Sequence, residues 1–139
     1  MNELITKLKE ALEGNAEIRL ALLFGSYATG KAGPDSDIDI AIAYDRKLTM
    51  EERIELAQRL STLLNKEIDL VDLKVASGIL LQQIISNRKT IINRDAKLYG
   101  DIIAKQITEE LDFLPLYEQI LKAKRERFIN GQKGRQSKN

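Results

Sequence analysis

Neither cysteine nor histidine occurs among the 139 residues. Without cysteine there is no disulfide, no thiol nucleophile and no Cys-based zinc site. Without histidine the usual general base, the Ser-His-Asp triad and His-ligated zinc are all excluded. Aromatic residues make up only 5% of the chain, so aliphatic side chains must build the core. No apolar run approaches the ~18 residues needed to cross a bilayer. The N-terminal stretch MNELITKLKEALEG lacks the basic-then-apolar shape of a signal peptide, so no membrane association and a cytoplasmic location are expected. Any catalysis must use carboxylates, hydroxyls, lysine or a hard cation.

What is present suffices for a core: 43% hydrophobic residues with 31% charged, in a length that fits one domain. The net charge of +1 hides an asymmetry. Residues 122–139 hold seven basic side chains against one acid, Glu126, whereas the rest of the chain is acidic on balance. A single domain over 1–129 is expected, helical from about residue 95, followed by a flexible basic tail over 130–139 that reads NGQKGRQSKN. Such a tail is a solvated end or an arm for an acidic partner, and direct nucleic-acid binding stays open.

Leu4, Ile5, Leu8 and Leu12 recur at helical spacing and Gly14 follows, which predicts a helix over 2–13. Residues 17–24, EIRLALLF, place Ile18, Leu20, Leu22 and Phe24 on one face of a buried strand. Residues 25–36 contain three glycines and a proline and cannot form one regular element. Residues 37–44, DIDIAIAY, alternate strictly as a strand. Thr49 and Glu52 form a capping box ahead of a helix to about Asn65, with Met50, Ile54, Ala57, Leu60 and Leu64 as its buried stripe. EIDLVDL at 67–73 reads as a third strand, Ser77 as the cap of a short helix through Ile85, and TIIN at 90–93 as a fourth strand. From Asp95 to about Ile129 the pattern is helical, with a break or kink at Pro115. The fold class is α/β (α+β): a small mixed sheet flanked by helices, with a helical C-terminal part whose Ile102, Ile103, Ile107, Leu111, Leu114 and Leu121 pack on the domain or on a partner.

The chemistry concentrates in two neighbouring segments. Asp is a poor strand residue, yet Asp37 and Asp39 both sit in the best-patterned strand. Side chains two apart on a strand point the same way, with Cα atoms roughly 6.6 Å apart. Two such like charges repel unless a cation sits between them, and Mg²⁺ suits carboxylate oxygens and substrate phosphates. Taken alone, the pair fits better a polar strand face that simply meets water. Just before it, Gly25-Ser26 ends a hydrophobic strand. Glycine permits close backbone approach, and backbone N–H groups at a helix start can face an anion. A phosphate cradle beside a metal site is what an enzyme of nucleoside triphosphates needs. Asp69, in the third strand, fits as a third acid that completes the metal site and helps take a proton from an attacking hydroxyl. Asp72 competes for that role, and period 2 puts it on the opposite face. Residues 25–31 also read G-x-x-x-x-G-K, but Ala32 stands where a P-loop needs Ser or Thr and Gly33-Pro34 follow, so Lys31 is expected to be a loop lysine.

The segment LLFGSYATGKAGPDSDIDIAI resembles the nucleotidyltransferase signature of the DNA polymerase β superfamily, a Gly-Ser, ten residues and D-x-D. The strand at 67–73 is similar to that family's third-carboxylate strand. The short length and the run YGDIIAKQITEELDFLPLYEQIL resemble the minimal nucleotidyltransferases that act as antitoxins to HEPN ribonuclease toxins. The resemblance implies that Gly25 and Ser26 hold nucleotide phosphates, that Asp37 and Asp39 bind Mg²⁺, and that Asp69 is the third acid. It further implies transfer of AMP from ATP to a tyrosine of a cognate HEPN toxin, within a hetero-oligomeric complex, which neutralises the toxin. Two other readings remain: a small-molecule nucleotidyltransferase of the aminoglycoside-modifying kind, and a non-catalytic antitoxin that binds and occludes its toxin.

Overall fold

The computed structural model describes the backbone of residues 2–137, and the side chains of residues 3–112 and 118–129. Among them are five helices and four strands: α1 Asn2–Glu13, β1 Leu20–Phe24, α2 Ser26–Thr29, β2 Ile38–Ala43, α3 Met50–Leu64, β3 Ile68–Asp72, α4 Gly78–Ser86, β4 Lys89–Asn93 and α5 Ala96–Ser137. The chain divides into two compact units, Met1–Gln106 and Ile107–Asn139. The first unit holds the whole sheet, in the order β3-β2-β1-β4.

β1 and β2 occupy the middle of the sheet, which explains their composition. β1 reads LALLF and is buried at every position, because a central strand covered on both faces has no polar side. β1 pairs antiparallel with β2 and with β4, with a register shift at Ala21/Leu22 on the β4 side. β2 and β3 run parallel, and the required crossover between them is made by α3. The sheet is thus mixed, as the sequence predicted.

Two cores lie on its two faces. One gathers Leu8, Leu12, Leu56, Leu60 and Leu64 of α1 and α3 against Ala21, Leu23, Ile38, Ile40, Ile42 and Leu70. The other gathers Leu81, Ile84 and Ile85 of α4 and Ile102 of α5 against Leu20, Leu22, Phe24, Ala41 and Ala43. The alanines of β2 lie on this second face, where small side chains let the helices approach the sheet. Ile18 departs from expectation: it precedes β1 and packs in the first core, away from Leu20, Leu22 and Phe24.

The buried stripe of α3 also differs. The capping box forms as predicted, with Glu52 N–H donating to Thr49 Oγ1 and Thr49 N–H to the Glu52 carboxylate. Yet Met50 and Ile54 are 73% and 51% exposed, and Leu56 joins Leu60 and Leu64 inside, with Ala57 half-buried. Both stripes obey helical spacing, and docking on β3 selects between them; Arg53 donates to the Leu70 carbonyl from the same helix. Ser77 occupies the cap position of α4, but no side-chain cap bond forms.

Of the break or kink expected at Pro115, the break does not occur, since α5 continues through that position. Ile102 is buried and Ile103 half-buried in the first unit. In the second, Ile107, Leu111 and Leu121 are exposed. Leu114 and the tail expected over 130–139 lie outside the described side chains. No described helix is long and apolar enough to cross a membrane.

Candidate active site

The C-terminal end of β1 and the N-terminal ends of β2 and β3 meet at one edge of the second core. Phe24 of β1 pairs with Asp39 of β2, and Asp39 pairs with Asp69 of β3. Registered pairs share a face, so the Asp39 and Asp69 side chains stand next to each other on neighbouring strands. Asp37, just ahead of β2, is exposed, Asp39 is half-buried and Asp69 is exposed.

This crowding shows in the ionisation of Asp39. Burial, the neighbouring Asp69 charge, a hydrogen bond shared with Asp69 and the Asp37 charge raise its carboxyl from 3.8 to about 6.

Gly25 closes the other side. Its backbone lies at φ 70°, ψ −154°, a region open in practice only to glycine. A Cβ placed on it would run into the Asp39 carboxylate, with the Asp39 Cγ at 3.0 Å and Cβ at 3.2 Å. The missing side chain therefore makes room for the acid. From Gly25 the chain enters the single turn α2, whose Ala28 and Thr29 N–H groups donate to the Gly25 carbonyl. The first N–H groups of a helical turn have no acceptor within it and point out from its start. Ser26, half-buried, sits at that start beside Asp39's neighbour in the sequence of contacts, Gly25.

Gly30 ends α2 in the left-handed conformation at φ 78°. Lys31 then lies exposed in a loop, and no helix follows until α3, so the P-loop resemblance of residues 25–31 is fortuitous, as expected. The loop back to β2 is braced internally: Gly33 N–H donates to Ser36 Oγ at 2.8 Å, and Ser36 N–H to the Gly33 carbonyl. It is also braced from outside by Lys66, whose Nζ donates to the Pro34 carbonyl at 2.6 Å and lies 6.0 Å from the centre of the Tyr27 ring. Nothing in the sequence pointed to Lys66, because its partner is a backbone carbonyl 32 residues away.

Asp72 has a different place. It is 2% exposed on the opposite face of β3, and its carboxylate accepts from the backbone N–H groups of Leu48 at 2.9 Å and Lys74 at 3.0 Å. It fastens the α3 approach to the end of β3 and does not face Asp39.

The donor set suits a hard divalent cation: oxygens only, in a cluster whose mutual repulsion a cation would relieve. Among the described residues, no group of three or more acids is gathered tightly enough to hold a metal ion alone. The fit is to an open site, where one or two carboxylates bind and substrate phosphates complete the shell.

Residues 6–97 match the family described as polymerase beta, nucleotidyltransferase. Over 90 residues the chain is 39% identical to the protein adenylyltransferase MntA of Shewanella oneidensis, a stretch covering 65% of this chain and 63% of that one. It is 34% identical over 71 residues to the protein adenylyltransferase MntA of Thermococcus cleftensis, covering 51% and 72%. In structure it resembles a toxin–antitoxin crystal structure with AMP-PNP, at TM-score 0.64 and 33% identity over 91% of this chain and 95% of the other. It also resembles a chain of the tri-AMPylated Shewanella oneidensis HEPN toxin in complex with its MNT antitoxin, at TM-score 0.62 and 29% identity over 93% and 95%.

Proposed function

The chain belongs to the polymerase β nucleotidyltransferase family, and from that premise we propose that it is an antitoxin with protein adenylyltransferase activity, transferring AMP from ATP to a tyrosine hydroxyl of a cognate HEPN ribonuclease toxin. The observation that carries the reading is the packing of Asp39 between Gly25 and Asp69, at the mouth of the β1–α2 turn. Structural relatives that contain AMP-PNP or an AMPylated HEPN toxin support the nucleotide and the acceptor.

In this reading the backbone of Gly25 and Ser26 anchors the triphosphate, and the absent side chain at Gly25 lets the Asp39 carboxylate lie against that turn. Asp37 and Asp39 would hold Mg²⁺, with Asp69 at its margin. When bound, the ion supplies positive charge against the α-phosphate and the departing pyrophosphate. The tyrosine oxygen bonds to the α-phosphorus as the bond from that phosphorus to the α–β bridging oxygen breaks, and pyrophosphate leaves. The phenol has an ordinary pKa near 10, so its proton must be taken up during attack, and in this reading Asp69 would accept it. No histidine is required, in keeping with the composition. The exposed apolar residues Ile107, Leu111 and Leu121 of α5 offer a face for the partner protein. A cytoplasmic location, where ATP and Mg²⁺ are available, would suit this reaction.

The test is incubation with α-labelled ATP, Mg²⁺ and a cognate HEPN protein. Covalent label on a tyrosine of the partner, lost with Asp37→Asn and Asp39→Asn, is expected. A tight complex without label, unchanged by either substitution, would instead identify an occluding antitoxin.

A further inference from the structure

Lys66 joins three segments that the chain brings to the site separately. It follows Asn65, the left-handed cap of α3 at φ 52°, and stands two residues before β3. Its ammonium donates to the Pro34 carbonyl, in the middle of the loop that leads to Asp37. The same ammonium lies over the ring of Tyr27, a buried residue of α2 next to Ser26. The adjacent Glu67 carbonyl accepts from Ile38 N–H at 2.9 Å, which sets the β2–β3 register that pairs Asp39 with Asp69. Residues 66 and 67 therefore hold both the middle and the end of the loop over 30–37. The other ties of the loop lie at its start and within it: Lys31 N–H donates to the Ser26 carbonyl at 3.0 Å, Ala32 packs on the first core, and Gly33 and Ser36 bond to each other, while Gly33, Pro34 and Asp35 are exposed.

We propose that Lys66 is a positioning residue, a strut that fixes the loop over 30–36 relative to the Gly25-Ser26 turn and thereby sets where Asp37 meets the nucleotide phosphates. This rests on the nucleotidyl-transfer reading for its consequence in catalysis, though not for its consequence in loop order. Lysine suits the role because its ammonium satisfies a carbonyl and an aromatic face at once, on a stem long enough to reach from β3 to the loop. Arginine can reproduce both contacts; methionine and glutamine keep the stem without the charge.

Two measurements test it, on the full-length protein. Amide hydrogen exchange is read on peptides spanning 30–37, with the β1 peptide as the internal reference. In Lys66→Met and Lys66→Gln, exchange over 30–37 is expected to rise about tenfold while β1 is unchanged, and Lys66→Arg is expected to restore most of the protection. Steady-state AMP transfer to the cognate toxin is then expected to fall about tenfold to a hundredfold in Lys66→Met, with the KM for ATP rising and Arg recovering it, because misplacing a binding group by about an ångström costs that much. Unchanged exchange over 30–37 in both uncharged variants overturns the strut, whether or not transfer is observed. Increased exchange with unaltered kinetic constants overturns the link to Asp37. Absence of transfer by the unsubstituted protein counts against the proposed function, and the exchange result still decides the strut.

Discussion

Replacing Asp39 by asparagine should stabilise the domain while abolishing its chemistry. In the folded protein the Asp39 carboxyl is raised from 3.8 to about 6, first by burial, then by Asp69 and Asp37. A raised acid is one whose charged form the fold disfavours. Between about pH 4 and pH 6 the folded state keeps a proton that the unfolded chain has released, so the stability of the unsubstituted protein falls as pH rises through that window. A shift of this size fully realised would be about 3 kcal/mol. Asp39 is only half-buried, and solvent screening reduces the expected effect to about 1 kcal/mol. Asparagine has nearly the same shape, can donate its amide to Asp69, and does not ionise. At pH 7, without divalent metal, its Tm should therefore exceed that of the parent by about 3–5 °C, and at pH 3.5 the difference should vanish. Thermal unfolding followed by circular dichroism in EDTA and low salt checks this, alongside AMP transfer, which should be lost. A variant no more stable at pH 7, or equally stabilised at both pH values, would refute the claim that the site is held together against its own charge.

Gly25→Ala should cost about 2–4 kcal/mol, from backbone strain and the collision with Asp39, and should abolish transfer; denaturant unfolding measures the first part. Asp72→Ala removes a buried acceptor from the Leu48 and Lys74 N–H groups, and should lower stability by about 2–4 kcal/mol while leaving transfer per folded molecule nearly intact. Asp69→Asn should reduce transfer at least about a hundredfold while raising thermal stability at pH 7 by less than Asp39→Asn does, because it too relieves the repulsion on Asp39 but removes only an exposed charge. Chelation should stop transfer and restored Mg²⁺ should recover it, and Mg²⁺ with ATP should raise the Tm of the parent but not of Asp39→Asn.

Much of the architecture was legible because the local signals were unusually direct. The capping box at Thr49 and Glu52, the stop after α1 and the uniform LALLF of β1 each state their own structure. The misplacements fall where two readings have equal local merit. Met50 and Ile54 lie at helical spacing just as Leu56, Leu60 and Leu64 do, and only the packing partner tells them apart. Ile18 matches the alternation of β1 but sits before the strand starts, in the other core. Pro115 lacks the N–H of a helix interior, yet α5 continues through it.

The sequence by itself determined the cast of the site: Gly25-Ser26 at a strand end, Asp37 and Asp39 ten residues on, Asp69 with Asp72 as rival, and no histidine or cysteine to suggest another chemistry. These follow from side-chain chemistry and the two-residue period of a strand, both local properties. The choice of Asp69 over Asp72 was decided by the parallel register that sets Asp39 against Asp69, while Asp72 turns to two backbone N–H groups on the other face. The tertiary structure also decided why Gly25 carries no side chain and what Lys66 holds. Register and loop bracing join residues some thirty positions apart, and no local pattern encodes which distant backbone a side chain will meet.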